Sequence, residues 1–292
     1  MTNKICFLTG ATSGIGQAAA LSLAQQNYDL HLVARNRSKA EATEDLIRKS
    51  VPDAKIKWHF GDLSRQADVR AIAASFLQTK LSIDLLFLNA GLCHNKRVLT
   101  KDGYELMLAV NHLAPFLLTQ LLFDKLTEGS SETRVVITAS GAYKAVKALN
   151  IDDMNWNRNF KTFSAYGNSK LSNMLFTQSL AKRLKQAAPK KTFTVNCYHP
   201  GFVGTGIGTQ IRLGKVIMAM CRPFVRSSAK GAETGLYLAT DPAVSGQSGG
   251  YYFNCEEQTL PAYARDADMA KALWDKSLAM TQLSKLMSDT SL

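Results

Sequence analysis

Seven short runs of aliphatic and β-branched residues alternate with longer helix-forming stretches, and this alternation restricts the fold more than any other feature. The runs are Ile5–Leu8, Asp29–Ala34, Ile56–Phe60, Leu85–Leu88, Arg134–Thr138, Thr192–Tyr198 and Gly250–Asn254. The helical stretches lie near residues 14–26, 38–50, 65–79, 102–126, 163–186, 229–240 and 266–287. A strand such as the one within Asp84-Leu-Leu-Phe-Leu-Asn89 is apolar at every interior position, as a strand covered on both faces must be. Such strands joined by helices predict an α/β fold built of βαβ units: a doubly wound parallel sheet of about seven strands with helices on both faces. No Pro/Gly/Ser-rich linker divides the 292 residues, and 46% are hydrophobic, enough for one large core. The expectation is one domain over residues 1–292.

The first strand runs into Thr9-Gly10-Ala11-Thr12-Ser13-Gly14-Ile15-Gly16, after which a helix begins. Glycines at 10, 14 and 16 permit a tight turn and let backbone approach a ligand closely. The helix that follows offers unpaired N–H groups and a positive dipole end, so the turn reads as a cradle for a pyrophosphate. Gly10, Thr12, Ser13, Gly14, Ile15 and Gly16 are the candidate contacts. At the end of the second strand, where an acid would bind a ribose 2′-hydroxyl, stands Arg35. An acid repels a 2′-phosphate, whereas a guanidinium clamps it, so the cofactor expected is NADP rather than NAD. Arg35 is the main contact, with Arg37 and Lys39 behind it. Asp62 and Leu63 end the third strand and are placed to bond adenine and cover its ring. Asn89, Ala90 and Gly91 end the fourth, with small residues that admit a cofactor. All of these fall at carboxyl ends of strands, where open parallel sheets bind ligands.

The strand Arg134–Thr138 leads to Ser140, and further on comes Tyr166-Gly-Asn-Ser-Lys170. Tyr166 and Lys170 are four apart and share one helix face. A free phenol titrates near pH 10, too high for efficient proton transfer at neutrality, and a neighbouring ammonium is expected to lower it. A serine hydroxyl can hold a substrate oxygen. The three form a proton-transfer set for carbonyl and alcohol chemistry. Pro115 lies within the helical stretch that contains Asn111 and removes the amide that would bond the Asn111 carbonyl. A kink at 111–115 is expected, with that carbonyl turned to the site.

Together Thr9-Gly10-x3-Gly14-Ile15-Gly16, Asn89-Ala90-Gly91, Ser140, Tyr166-x3-Lys170 and His199-Pro200-Gly201 resemble the short-chain dehydrogenase/reductase superfamily over nearly the whole chain. The stretch from Lys101 to Thr119 is most similar to the retinol-dehydrogenase-like branch. The resemblance implies a Rossmann fold and an NADP(H)-dependent oxidoreductase acting on an apolar aldehyde, ketone, alcohol or retinoid-like substrate. It implies that Tyr166 is the acid/base, that Lys170 tunes it and binds nicotinamide ribose, that Ser140 polarises the substrate oxygen, and that Asn111 holds a water in a proton relay. Pro200, Gly201, Val203 and Thr205 would contact the nicotinamide half. It also implies that residues 203–230 cover the substrate, and it allows a homo-oligomer. Two alternatives stay open: a non-catalytic NADP(H)-binding sensor or scaffold, and a C=C reductase of the protochlorophyllide-reductase type.

The formal charge of +12 permits anionic partners without selecting one. No basic patch interleaved with aromatics is present, so nucleic acid is not an expected partner. Residues 206–230 mix Ile207, Ile211, Val216, Met218 and Met220 with Arg212, Lys215, Arg222 and Arg226. That composition suits a substrate lid, or alternatively contact with an anionic membrane surface. Cysteines 6, 93, 197, 221 and 255 form no paired motif, and no signal or membrane-spanning stretch is visible, so a cytoplasmic protein is expected, with peripheral membrane contact as the alternative. His94, His112 and His199 lack metal-ligand spacing, and no metal is expected. Tyr143 is read as a wall of the substrate pocket and Cys93 as an inactive pocket residue.

Overall fold

A computed structural model describes residues 3–129, 131–203 and 226–283. Strands β1 (Ile5–Thr9), β2 (Asp29–Ala34), β3 (Ile56–Phe60), β4 (Leu85–Leu88), β5 (Glu132–Thr138), β6 (Thr192–His199), β7 (Tyr251–Phe253) and β8 (Glu256–Glu257) form one sheet in the order β3-β2-β1-β4-β5-β6-β7-β8. All neighbours are parallel except β7 and β8. The seven expected strands are present, with ends displaced by no more than two residues. The eighth is an addition to the expected seven. It turns back through Asn254 and Cys255 at φ 53° and 64°, the left-handed pair that a two-residue hairpin loop requires.

Helices α1 (Gly14–Gln25), α2 (Arg37–Ser50) and α3 (Gln66–Leu77) connect the first four strands. The stretch expected as one helix over 102–126 is broken into α4 (Leu106–Leu108), a π-turn at Ala109–Leu113, α5 (Ala114–Leu121) and α6 (Phe123–Thr127). Within it the amide of Ala114 reaches back five residues to the carbonyl of Ala109. The expected disturbance around Pro115 therefore takes the form of a wide π-turn immediately before the proline. Helices α7 (Thr162–Ala187), α8 (Ser228–Thr240) and α9 (Ala267–Met280) follow.

Alternate strand residues feed two core layers. Phe7, Leu86, Leu88, Val135 and Ile137 pack with Phe76 of α3 and with Leu171 and Met174 of α7. Cys6, Leu8, Leu32, Phe87 and Val136 pack with Leu23 of α1 and Leu238 of α8. Because β1 has β2 on one side and β4 on the other, the connections leave it in opposite directions, and a crevice opens at its carboxyl end. Most of the lid segment expected over 203–230, and Thr205 with it, lies outside the described residues.

Candidate active site

The crevice is set by two strand ends bonded to each other. Thr9 Oγ1 accepts the amides of Asn89 and Ala90, each at 3.1 Å. Asn89 Nδ2 donates in return to the carbonyls of Thr9 and Gly10, at 3.2 and 3.3 Å. Gly10 and Gly14 stand at φ 72° and 54°, a region that a side chain disfavours. A Cβ on Gly16 would overlap the Gly10 carbonyl. Ser13 precedes α1 in extended conformation, its hydroxyl makes no cap bond, and the first turn carries no acid. The leading amides of α1 are thus left for an anion, at a turn walled by backbone and by the Asn89 side chain. These residues fit a dinucleotide's pyrophosphate. The side chains of Ile15 and Val203 both close over Gly231 of α8, which brings the turn and the chain beyond β6 onto the same helix.

At the end of β2, Arg35 is 75% exposed, with Nη1 3.3 Å from Asp62 Oδ2. Asp62 Oδ1 accepts the Ser64 amide at 2.9 Å. Burial opposes ionisation of Asp62, but the Ser64 amide and hydroxyl and the Arg35 guanidinium outweigh it and hold the carboxyl below the usual range. The Arg37 guanidinium lies 4.2 Å above the Phe60 ring. Leu63 packs against the core.

Deeper in the crevice, β4, β5, the π-turn and α7 converge. Ser140 caps a short 3₁₀ turn, Gly141–Ala145, by accepting the Ala142 amide at 3.2 Å, and its hydroxyl also bonds with Tyr166. Lys170 is 2% exposed, lies 5.7 Å from the Tyr166 ring centre, and donates to the Thr138 carbonyl at 2.9 Å. A Cβ on Gly91 would lie 3.2 Å from Lys170 Nζ and 3.4 Å from Asn111 Oδ1, so these three residues share one corner. Asn111 is fully buried. Its Oδ1 accepts the Leu92 amide at 2.8 Å, and its Nδ2 donates to the Leu92 carbonyl at 2.9 Å and to Ser169 Oγ at 3.0 Å. Ser169 Oγ donates at 2.7 Å to the carbonyl of Tyr166 itself. Beyond, Gly201 turns at φ 81°, its amide donating to His199 Nδ1 at 3.3 Å. His199 thus shapes the Pro200-Gly201 turn, and burial, with Arg226 and Lys144 nearby, lowers its pKa to about 4.

Tyr166, Lys170, Ser140, Asn111 and Gly91 are brought together. Two expectations need correction. Tyr143 is not a pocket wall but a core residue, 3% exposed and edge-on to Tyr251 at 5.4 Å. The Tyr166 phenol is not lowered below its ordinary value. Burial raises it to about 12, against the opposing bond from Ser140. The cause is the apolar company of Cys93, Met107, Ala165, Trp156 and Phe160. Cys93 is itself unactivated, burial raising its thiol. The sequence reading missed Thr9, Ser169 and the Thr138 carbonyl. Ser169 could have been found three residues after Tyr166, on its helix face. A backbone acceptor leaves no mark in sequence.

Burial lowers Lys170 to about 8. Between that pH and the ordinary lysine value near 10.4 the unfolded chain binds the additional proton, so this group's contribution to stability improves as pH rises through that window. At pH 7 both states are charged and the desolvation cost is present in full. Lys170→Met is therefore expected to raise the thermal midpoint at pH 7 by a few °C, with the gain shrinking towards pH 10. Calorimetry of both proteins at the two pH values checks this, and a lower midpoint for the variant at pH 7 contradicts it.

Comparison with known proteins agrees with this geometry. Residues 4–215 match the family model of the short chain dehydrogenases. The chain is 34% identical to human retinol dehydrogenase 14 across 98% of its own length and 88% of the relative's. It is 32% identical to the chloroplastic short-chain dehydrogenase TIC 32 B of Brassica napus, across 94% and 87% of the two chains. A solved structure of an uncharacterised Mycobacterium paratuberculosis protein superposes with TM-score 0.73 at 29% identity, over 96% of this chain and 93% of that one. The chain belongs to the short-chain dehydrogenase family, oxidoreductases of alcohol and carbonyl groups that use nicotinamide cofactors, and it stands with the retinol-dehydrogenase-like members.

Proposed function

We propose that this chain is a single-domain NADP(H)-dependent oxidoreductase that interconverts a carbonyl and an alcohol on an apolar substrate. The observation that carries this reading is the meeting of the Ser140 hydroxyl, the Tyr166 phenol and the Lys170 ammonium beside Gly91, one strand away from the glycine turn. When bound, the dinucleotide supplies or accepts the hydride.

The chain's own residues do the rest. Gly10, Thr12, Ser13, Gly14, Ile15 and Gly16 hold the pyrophosphate with backbone amides. Asn89, Ala90 and Gly91 let the dinucleotide lie close to the sheet, and Asp62 and Leu63 flank the adenine. Pro200, Gly201 and Val203 border the nicotinamide half. Ser140 Oγ accepts the Ala142 amide, and its own proton, bonded to Tyr166, turns to the substrate oxygen when substrate binds. Tyr166 keeps its proton at neutral pH and gives it to that oxygen as a carbonyl is reduced. Lys170 offers positive charge to the phenolate left behind and hydrogen bonds to ribose hydroxyls. The Asn111 carbonyl, deprived of a helical donor by Pro115, accepts a water that returns the proton. Leu92, Cys93, Met107, Trp156 and Phe160 beside Tyr166 favour an apolar substrate.

The preference for NADP rests on Arg35, whose contact with Asp62 uses only Nη1 and leaves the rest of the fork for a 2′-phosphate. Arg37 supports it from above Phe60. A panel of aldehydes, ketones and alcohols, followed at the nicotinamide absorbance with both cofactors, tests the whole reading. Arg35→Ala is expected to raise the KM for NADPH roughly tenfold to a hundredfold, the loss of a charge-assisted bond, and to leave that for NADH nearly unchanged. Parallel loss with both cofactors would remove the assignment of NADP.

A further inference from the structure

His112 follows Asn111 in the π-turn, is fully buried, and points into the seam between α5, α7 and α9. The seam is lined by His112, Phe116, Phe176, Leu273, Trp274 and Ser277 and leaves no room for water. His112 Nε2 lies 2.8 Å from Ser277 Oγ. Its other nitrogen, Nδ1, has no hydrogen-bond partner, and neither has Asn173 Oδ1, although the Asn173 side chain is the polar group that faces this ring. The opposite end of the same amide, Asn173 Nδ2, donates to the Thr138 carbonyl at 3.5 Å. That carbonyl also receives Lys170 Nζ at 2.9 Å.

We infer, building on the function proposed above, that His112 is a positioning residue for Lys170: it fixes the Asn173 amide, which with Lys170 shares the Thr138 carbonyl. The tautomer follows from counting donors. If Ser277 gives its proton to the Leu273 carbonyl, 2.7 Å away, then Nε2 must carry the imidazole hydrogen, and Nδ1 and Oδ1 confront each other as two bare acceptors in a dry seam. Placing the hydrogen on Nδ1 satisfies both, and the Ser277 hydroxyl then turns to Nε2. With Oδ1 held by His112, the nitrogen of Asn173 must face Thr138. Released, the amide can turn over and present Oδ1 to the Lys170 ammonium, which stabilises the charged lysine and draws Nζ out of the crevice.

Burial keeps His112 neutral and lowers its pKa to about 4, the neighbouring Asn173 amide acting in the opposite direction. The groups packed around it from α5, α7 and α9 are Phe116, Phe176, Trp274, Leu273, Asn173 and Ser277, none of which titrates near neutrality. Lys170 is faced by Tyr166, Cys93 and Cys197, all untouched by changes at residue 112.

Two replacements separate the nitrogens. His112→Asn places an N–H where Nδ1 stands, and His112→Gln places one where Nε2 stands. In the cofactor-free protein, ¹⁵N-lysine NMR is expected to find Lys170 titrating as in the unmodified chain for His112→Asn and at higher pH for His112→Gln. With cofactor and substrate, kcat is expected to stay within about twofold for His112→Asn and to fall about tenfold for His112→Gln, with smaller changes in KM. Imidazole ¹⁵N shifts of the unmodified protein give a test that needs no variant, and they should show His112 carrying its hydrogen on Nδ1. An Nε2–H tautomer, or two variants that behave alike, overturns the inference. If the unmodified protein reduces and oxidises nothing with either cofactor, the proposed function falls, while the lysine titration still judges His112.

Discussion

Tyr166→Phe should lower kcat/KM by about a thousandfold while leaving cofactor affinity nearly unchanged. The replacement removes one oxygen from a ring that otherwise stays seated against Cys93, Met107 and Ala165, so the pocket keeps its shape. The lost oxygen is bonded to Ser140, whose hydroxyl still has the Ala142 amide as a partner, so the folded state gives up about 1 kcal/mol at most. Stability and catalysis are therefore expected to separate: a thermal midpoint within about 2 °C of the unmodified chain, and turnover almost gone. The raised phenol adds a direction. A group that holds its proton up to about pH 12 is fully in the donor form at neutrality and almost never in the acceptor form. Carbonyl reduction should accordingly run well at pH 7, and alcohol oxidation should gain rate as pH rises, because more of the phenol is ionised. Absorbance assays in both directions, with cofactor binding followed by nicotinamide fluorescence, check each part. Turnover within tenfold of the unmodified chain would take Tyr166 out of the proton-transfer role.

What could be read from the sequence was whatever is encoded locally. Strand spacing, the glycines at 10, 14 and 16, and the four-residue step from Tyr166 to Lys170 each depend on a single period or turn, and the structure keeps all three. Features that depend on distant packing could not be read. The phenol was expected to fall under the influence of Lys170, yet its environment is set by Cys93 after β4 and Met107 in α4, both dozens of positions away, and by Trp156 in the loop before α7. Tyr143 is close to Ser140 in sequence, but the 3₁₀ turn that Ser140 caps sends it into the core against Tyr251. The β7–β8 hairpin was missed because Asn254-Cys255 places a cysteine where glycine is the usual signal. Pro115 marked the disturbed helix in advance, but the π-turn that absorbs it also aims Asn111 at Ser169 and His112 at Ser277, which no periodicity foretells.

Gly16→Ala tests the cradle with a single methyl group and should abolish cofactor binding more cleanly than any charge change. The new Cβ would overlap the Gly10 carbonyl and stand 2.5 Å from Asn89 Nδ2. Neither neighbour can yield. Gly10 is already held at φ 72°, with no more than 2.9 Å between its own Cβ position and Ala90 Cα. Asn89 is anchored to the carbonyls of Thr9 and Gly10 and, through its backbone, to Thr9 Oγ1. Relief must come from displacing the start of α1 or breaking the bonds between β1 and β4, and either change spoils the backbone amides offered to the pyrophosphate. Overpacking of this kind costs about 1–3 kcal/mol, so the thermal midpoint should fall by roughly 5 °C. Affinity for the dinucleotide should fall at least about a hundredfold, because the cradle is built from geometry rather than from a side chain that could be replaced. Titration calorimetry with NADPH and NADH reads the second effect, and both cofactors should lose equally, since the pyrophosphate is common to them. That equality distinguishes the turn from Arg35, where only the 2′-phosphorylated cofactor should suffer. A Gly16→Ala protein that binds either dinucleotide normally would mean that the diphosphate does not rest on this turn.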